Sequence, residues 1–311
     1  MQIKKLLLRD KLISNNVFLA PMAGYTEYGY RKLAIKLGYG LTFTELVSAK
    51  GLSYKSKGSD LLLRTENYDK TVAQIFGSEP YYMRSACEGE YLKNFDIIDI
   101  NMGCPVPKVF KNGEGSALLT DIKKAEEIVK ECVKSGKIIT VKIRTGLKEG
   151  DDIATEFTKM AEDSGASLVT IHGRVREKYY SGEPDYNAIY KAKKAVSIPV
   201  IANGGIFTFN DADKMMDNTG ADGVMIARGA FLNPFLPCEL LGEKPPCTLK
   251  DFIINHLLNL KENFGEKRAT LEFRKFVGGY LRETYNVKEK RIKLLTAEST
   301  LEIYNLLMEI L

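Results

Sequence analysis

Short apolar runs recur up to Ile226, and nearly every one stops at glycine, proline or a polar residue. Val17-Phe18-Leu19-Ala20 stops at Pro21-Met22-Ala23-Gly24, and Leu41 to Leu46 carries Thr44-Glu45 at its end. Val72 to Phe76 stops at Gly77, Ile97 to Asn101 at Gly103-Cys104-Pro105, and Ile138 to Ile143 at Arg144. Ser167 to Ile171 leads into His172-Gly173-Arg174, Ile198 to Ala202 into Asn203-Gly204-Gly205, and Asp222 to Ile226 into Ala227-Arg228-Gly229. Runs of this length bounded by turn residues read as buried strands.

Helical stretches separate these strands. Tyr25 to Leu37 ends at Gly38, Asp151 to Ser164 at Gly165, and Phe209 to Asn218 is a third. Asp121 to Ser135 is the clearest: Asp121 caps it, Ala125, Ile128, Val129 and Cys132 form its apolar face, and Gly136 ends it. Strands and helices that alternate in this way build parallel βαβ units. About eight units in roughly 250 residues predict a (β/α)8 barrel, the TIM fold. A doubly wound sheet is the structural alternative, but no G-x-G-x-x-G loop follows an early strand. Gly113-Glu114-Gly115 matches part of that pattern and follows no strand.

The alternation stops at Pro245-Pro246. Beyond it only helical stretches remain, at Leu249 to Phe264, Arg268 to Tyr285 and Glu298 to Ile310. In the last of these, Leu301, Tyr304, Leu307 and Met308 share one face. The expected organisation is a catalytic barrel over residues 1–243 and a small all-helical domain over 246–311.

Composition narrows the class. The 311 residues are 44% hydrophobic and 27% charged, which suits a soluble chain with a large core. Five cysteines without a C-x-x-C pair argue for free thiols in a reducing cytoplasm, not a disulfide framework or a zinc ribbon. No run is long enough to span a bilayer, and the Lys- and Leu-rich start has no signal-peptide core. His172 and His256 stand far apart and form no metal motif. A net charge of +5 does not by itself call for nucleic acid. No metal and no membrane are expected, and the chain is expected to be a monomer.

In a barrel, the C-terminal strand ends converge on one pocket. Here they carry Pro21, Met22, Ala23, Glu45, Gln74, Asn101, Cys104, Lys142, Arg144, His172, Arg174, Asn203, Gly204, Gly205, Ala227 and Arg228. Any one has a bland alternative: Lys142 as a solvated strand end, Asn203-Gly204 as a mere turn. The full set is harder to dismiss. The loops after the seventh and eighth strands commonly hold phosphate, and Gly204, Gly205, Gly229 and Arg228 fit that use. Gln74 and Asn101 both donate and accept, which suits a flat heterocycle. Lys142 places positive charge against an electron-rich ring, and FMN meets these demands. Cys104 then has two readings. A thiol is mostly protonated at neutral pH and can act as an acid. A nucleophilic role needs an adjacent base, which His172 could supply.

These segments resemble the tRNA-dihydrouridine synthases. Ala20-Pro21-Met22-Ala23-Gly24-Tyr25-Thr26 is similar to the family's N-terminal flavin motif, and Asp99-Ile100-Asn101-Met102-Gly103-Cys104-Pro105 to its catalytic motif. Gly113 to Leu119, Val141 to Gly146, His172 to Glu177 and Ala202 to Ile206 also match, in the family's order. The resemblance implies FMN, NADPH (or NADH) as reductant, and reduction of a tRNA uridine to 5,6-dihydrouridine. It implies hydride delivery to C6 and a proton from Cys104 to C5. FMN would be held by Pro21, Met22, Ala23, Gln74, Lys142, His172, Asn203, Gly204, Gly205, Ala227 and Arg228, and the uracil by Asn101. Glu27 stands where the family usually has Asp, Gly205 where an acidic residue is frequent, and Gly279 where the bacterial subgroup with this tail often has Trp.

An RNA partner also has support in charge. Between Lys267 and Lys293, Arg274, Lys275 and Arg282 belong to a basic excess interleaved with Phe273, Tyr280 and Tyr285. Such a run suits phosphate contacts, although a solvated face is the commoner origin of one. Arg174, Arg176 and Lys178 add charge at the mouth, and Glu45 and Arg144 complete the expected substrate side. A flavin barrel acting on a free pyrimidine, such as a dihydroorotate or dihydropyrimidine dehydrogenase, would leave the basic tail unexplained. A non-catalytic tRNA-binding protein would leave Cys104 and Lys142 unexplained.

Overall fold

The computed structural model describes residues 2–56, 58–282, 284 and 287–311. The chain enters through an antiparallel hairpin, β1 (Leu6–Leu8) and β2 (Lys11–Ile13). The sequence shows no strand signal here: Met1 to Asp10 mixes Lys with Leu. The strands β3 (Val17–Leu19), β4 (Leu41–Phe43), β5 (Val47–Ser48), β6 (Thr71–Phe76) and β7 (Ile97–Met102) follow. After them come β8 (Ile138–Arg144), β9 (Leu168–His172), β10 (Val200–Asn203) and β11 (Gly223–Ile226). Every pairing from β3 onward is parallel. β11 pairs with β3 and β4 with β6, so the sheet closes as the predicted (β/α)8 barrel.

The expected strand Leu41 to Leu46 stops at Phe43, and β5 follows just past its expected end. The Thr44 hydroxyl bonds to the Glu45 carbonyl and accepts the Gln74 backbone N–H at 2.9 Å, which diverts the chain from the ladder. The expected helix from Tyr25 begins instead at Tyr28. Met22 O first accepts the Tyr25 and Thr26 N–H groups in a turn, and Glu27 then caps Tyr28–Lys36 by accepting from Gly29 and Tyr30.

Two cores result. Inside the barrel, Phe18, Leu41, Phe43, Ile97, Ile138, Leu168, Ile201 and Met225 pack with Leu6, Leu8 and Ile13 of the hairpin, which plugs the end where the strands begin. Outside it, the opposite strand faces pack against the surrounding helices in one continuous core. The plug leaves only the C-terminal strand ends open to ligand.

The C-terminal region is helical, with helices at Leu249–Phe264, Glu266–Tyr280, Lys288–Thr296 and Thr300–Ile310. The Lys288–Thr296 helix went unread in the sequence. Of the expected helix from Arg268 to Tyr285, the final residue lies outside the described residues, as does Glu283. The tail docks against the barrel through buried aromatic contacts. His256 Nε2 lies 3.0 Å from Glu27 Oε1, and Tyr280 OH lies 2.8 Å from His256 Nδ1, all three buried. Tyr30 and Phe276 stack close by, with ring centroids 6.0 Å apart. Gly279 permits a close approach: a β-carbon there would lie 2.6 Å from the Phe231 carbonyl oxygen.

Candidate active site

Strand alternation turns Gln74, Asp99, Asn101, Thr140, Lys142, His172 and Asn203 into the barrel above its apolar floor. The register sets Gln74 beside Asp99, Asn101 beside Lys142, and Asn203 beside His172. Asp99 is fully buried and its carboxylate accepts from Gln74 Nε2 at 2.7 Å and from the Thr140 hydroxyl at 2.6 Å. Gln74 Oε1 accepts from Asn101 Nδ2 at 2.9 Å. Asn101 Oδ1 in turn accepts the backbone N–H groups of Gly103 at 3.1 Å and Cys104 at 2.8 Å. A carboxylate only accepts, so these bonds run in one sense from the Cys104 loop down to Asp99. Burial pushes Asp99 up to about 6, against the Gln74 and Thr140 hydrogen bonds and the Lys142 charge, which favour its ionised form.

Cys104 is half-buried on the loop after β7. Its carbonyl accepts from Ser116 N at 3.1 Å and Ser116 Oγ at 2.7 Å. Gly115 has φ +60°, and a β-carbon on it would lie 3.0 Å from Cys104 Cβ. The Gly113-Glu114-Gly115 segment therefore braces the thiol loop from behind. Burial raises the thiol's pKa, with partial opposition from the Val106 backbone and from Arg144.

Asn203 Nδ2 donates to Met225 O at 2.7 Å, which leaves Oδ1 to hold Lys142 Nζ at 3.1 Å. Burial and the neighbouring Arg144 lower Lys142 to about 8, while Asp99 acts the other way. Burial also drives His172 well below its usual range, reinforced by Arg144, Lys142, Arg174 and Arg228. Arg174 NH1 stands 3.3 Å from His172 Nε2. A guanidinium only donates, so Nε2 is the acceptor and the ring proton is assigned to Nδ1. Arg174 thus occupies the lone pair that a base would need.

Comparison with known proteins bears on this arrangement. The family model "Dihydrouridine synthase (Dus)" matches residues 18–303. The chain belongs to the dihydrouridine synthase family. A probable tRNA-dihydrouridine synthase of Rhizobium leguminosarum bv. phaseoli is 37% identical over 272 residues, 86% of each chain. The tRNA-dihydrouridine synthase B of Vibrio parahaemolyticus is 36% identical over 290 residues, 90% of each. Among solved structures, a 2-naphthoyl-CoA reductase shares the fold with a TM-score of 0.61 at 13% identity, over 77% of this chain and 52% of the other. Histamine dehydrogenase from Rhizobium sp. 4-9 gives 0.58 at 13%, over 82% of this chain and 50% of the other. The chain spans about half the length of those two. As a dihydrouridine synthase family member, it is an enzyme.

The other expected residues of this dihydrouridine synthase family member fall into three groups. Around the mouth, Pro21, Met22 and Ala23 form the loop after β3, Ala227 and Arg228 follow β11, and Gly204 and Gly205 pack beside Arg174 and Pro184. Arg228 donates to Tyr180 O at 3.3 Å. A second group is committed to partners within the protein, backbone carbonyls for two of its members. Arg144 donates to Gly103 O at 2.8 Å, Val175 O at 3.2 Å and Tyr179 O at 2.9 Å, and Arg174 donates to Ser181 O and Gly182 O. Arg176 packs over Phe110, 3.9 Å from its centroid, and Lys178 pairs with Glu149 at 2.6 Å. The third group joins the tail. Arg274 donates to Ala297 O at 2.8 Å, Lys275 donates to Gly24 O at 3.2 Å and pairs with Glu272, and Arg282 is exposed. Gly24 N–H bonds to Glu45, so the loop after β3 is gripped from the barrel and from the tail at once.

Sequence reasoning missed Asp99 and Thr140 as site residues, and also Tyr180. The Tyr180 ring stands at the mouth, 52% exposed, 5.8 Å from the Arg144 guanidinium and 5.2 Å from that of Arg228. Asp99 was already inside a quoted motif, and an acidic residue in an otherwise apolar strand was the available signal. Among the described residues, no group of three or more His, Cys, Asp or Glu could hold a metal ion, and no helix is long and apolar enough to cross a membrane.

Proposed function

We propose that this enzyme reduces the C5–C6 bond of specific uridines in tRNA to 5,6-dihydrouridine, with FMN as resident cofactor, NADPH or NADH as reductant and Cys104 as proton donor. The observation that carries the reading is the one-way chain of hydrogen bonds that ties the Cys104 loop to Asp99 in a barrel that also holds the half-buried Lys142 on Asn203. That donor set fits a flavin: a cation for an electron-rich ring edge, fixed amides for its heteroatoms, and a glycine- and arginine-lined side for phosphate. Gln74, Lys142, His172 and Asn203 would hold the ring, with Pro21, Met22 and Ala23. Gly204, Gly205, Ala227 and Arg228 would hold the phosphate. Reduced FMN, when bound, supplies the hydride that goes to uracil C6.

The chain's own residues do the rest. Asn101 and the rim draw the base in from its stack and orient it. Negative charge that builds on C5 is met by the Cys104 proton, which leaves a thiolate to be reprotonated from water. The raised thiol favours this acid role, and the occupied Nε2 of His172 argues against base-assisted nucleophilic attack. Arg282 and the helical tail would contact the tRNA backbone, and Glu45, Arg144, Arg174, Arg176, Lys178, Arg274 and Lys275 would act mainly by shaping the mouth and its seam with the tail. We place the enzyme in the cytoplasm, as a monomer.

A single-turnover assay with prereduced enzyme and tRNA tests the reading. Cys104→Ala is expected to keep its FMN and to oxidise NADPH, while dihydrouridine formation drops by about 10² to 10⁴, the worth of a positioned acid. Near-normal dihydrouridine formation by that variant would remove Cys104 from the mechanism, and acid extraction that releases no FMN would remove the cofactor.

A further inference from the structure

The two most exposed large apolar side chains among the described residues are both tyrosines, Tyr81 at 76% and Tyr54 at 66%. They share one cluster. Tyr54 OH lies 2.9 Å from Tyr82 OH with ring centroids 6.0 Å apart, and Tyr81 meets Tyr82 edge-on at 5.4 Å. Lys50 Nζ lies 5.1 Å from the Tyr82 ring centre and pairs with Glu79 at 2.9 Å. The rings therefore hold one another in place and yet face solvent.

Their position is on the rim of the pocket. Tyr54 closes the Ala49–Ser53 helix, which follows β5 directly, and Tyr81 and Tyr82 lie in the first turn of Pro80–Glu88, just after β6. Ser78 Oγ donates to Asn112 O at 3.3 Å, which ties this rim to the segment that braces Cys104. Around the barrel, the tail docks on the β3 side, the tyrosines follow at β5 and β6, and Cys104 comes next at β7. A strand that runs from the tail to the thiol along this rim crosses the tyrosines. Exposed Lys50 and Lys55 flank Tyr54 on the same segment, and exposed Lys108 and Lys111 lie on the short helix after β7, Pro107–Lys111.

We propose that Tyr54, Tyr81 and Tyr82 form a stacking platform for unpaired bases of the RNA substrate, beside the pocket that holds the target uridine. The proposal rests on the tRNA reading above. Ordered aromatic faces next to lysines are how proteins hold single-stranded nucleotides without reading their sequence. A protein partner is less suited, because lysine is depleted from protein–protein interfaces.

The test is tRNA affinity across a salt series, with FMN-loaded enzyme and unmodified tRNA transcript. Tyr54→Ala with Tyr81→Ala is expected to weaken binding roughly 5- to 150-fold per base lost from the stack. The slope of log affinity against log salt should stay unchanged, because stacking releases no counterions. Tyr81→Trp should retain affinity, and FMN content and NADPH oxidation should match the unaltered enzyme. Unchanged affinity in the double alanine variant overturns the platform and leaves the patch to a protein partner. A loss of affinity that comes with a shallower salt slope overturns stacking in favour of charge. Failure of the unaltered enzyme to bind tRNA removes the tRNA reading, and the platform with it.

Discussion

Gln74 points its amide nitrogen at Asp99, 2.7 Å from Oδ2, and this single bond decides which way round the amide of Asn101 must lie. With Gln74 fixed, its oxygen faces Asn101 Nδ2, and Asn101 is left with only its oxygen for the Cys104 N–H. Asp99→Leu removes the acceptor and leaves a buried N–H unpaired, at a cost of about 1–3 kcal/mol. We expect a lower urea midpoint and a dihydrouridine rate reduced about tenfold or more. Asp99→Asn keeps an oxygen for Gln74 and should recover most of that rate. Equal rates for the two variants would show that the sense of the relay does not matter.

Gly115 is the second support of the thiol. Its φ of +60° and the 3.0 Å approach to Cys104 Cβ leave no comfortable place for a side chain. Gly115→Ala should cost about 1 kcal/mol or more from backbone strain alone. Dihydrouridine formation in single turnover should drop further than FMN binding does. Equal losses in the two assays would mean that the segment supports the whole pocket and not the thiol in particular.

The thiol also gives a pH dependence. The Cys104 proton is lost as pH rises through its folded pKa, and burial places that pKa above the ordinary one. The rate of the Cys104-dependent step should therefore begin to fall only at a higher pH than an ordinary cysteine, half ionised at about pH 8.5, would dictate. Iodoacetamide labelling of Cys104 against pH, on FMN-loaded enzyme, reports the same ionisation. Labelling that is half-maximal below pH 8 would contradict the buried-acid assignment.

Among the three tail cations, Arg282 is exposed, whereas Arg274 and Lys275 are bound to backbone carbonyls. Arg282→Glu should weaken tRNA binding and reduce the salt slope by about one, with thermal stability unchanged. Arg274→Ala should instead lower the melting temperature, since Ala297 O loses its charged donor. The reverse pattern, with Arg274 altering the salt slope and Arg282 the stability, would reassign both residues.

What the sequence made legible was the part of the structure governed by local pattern. Val72 to Phe76 and Ile97 to Asn101 announced themselves as strands by apolar composition and turn-forming ends, and the positions of Gln74, Asn101 and Cys104 at their tips followed. Partners distant in sequence were not legible. Asp99 meets Gln74 across 25 residues and Thr140 across 41, and nothing local in either strand specifies those bonds. Charge was similarly ambiguous: Arg144, Arg174 and Arg282 look alike in the sequence, yet the first two spend their donors on loop carbonyls while the third faces solvent. The hairpin β1–β2 stayed hidden because six residues with an exposed Leu7 and Leu12 lack a clean alternation.

The bond between Glu27 and His256 joins residues 229 positions apart. A ribosome that adds about 5–20 residues per second needs roughly 10–45 s to cover that stretch. Through that interval the carboxylate that starts the first barrel helix has no histidine to meet, and the loop before it has no Lys275 to hold Gly24. The nascent barrel waits with the loop after β3 half-fastened until the last helices emerge, and a chain truncated before them would be released with that side of the barrel mouth unfinished.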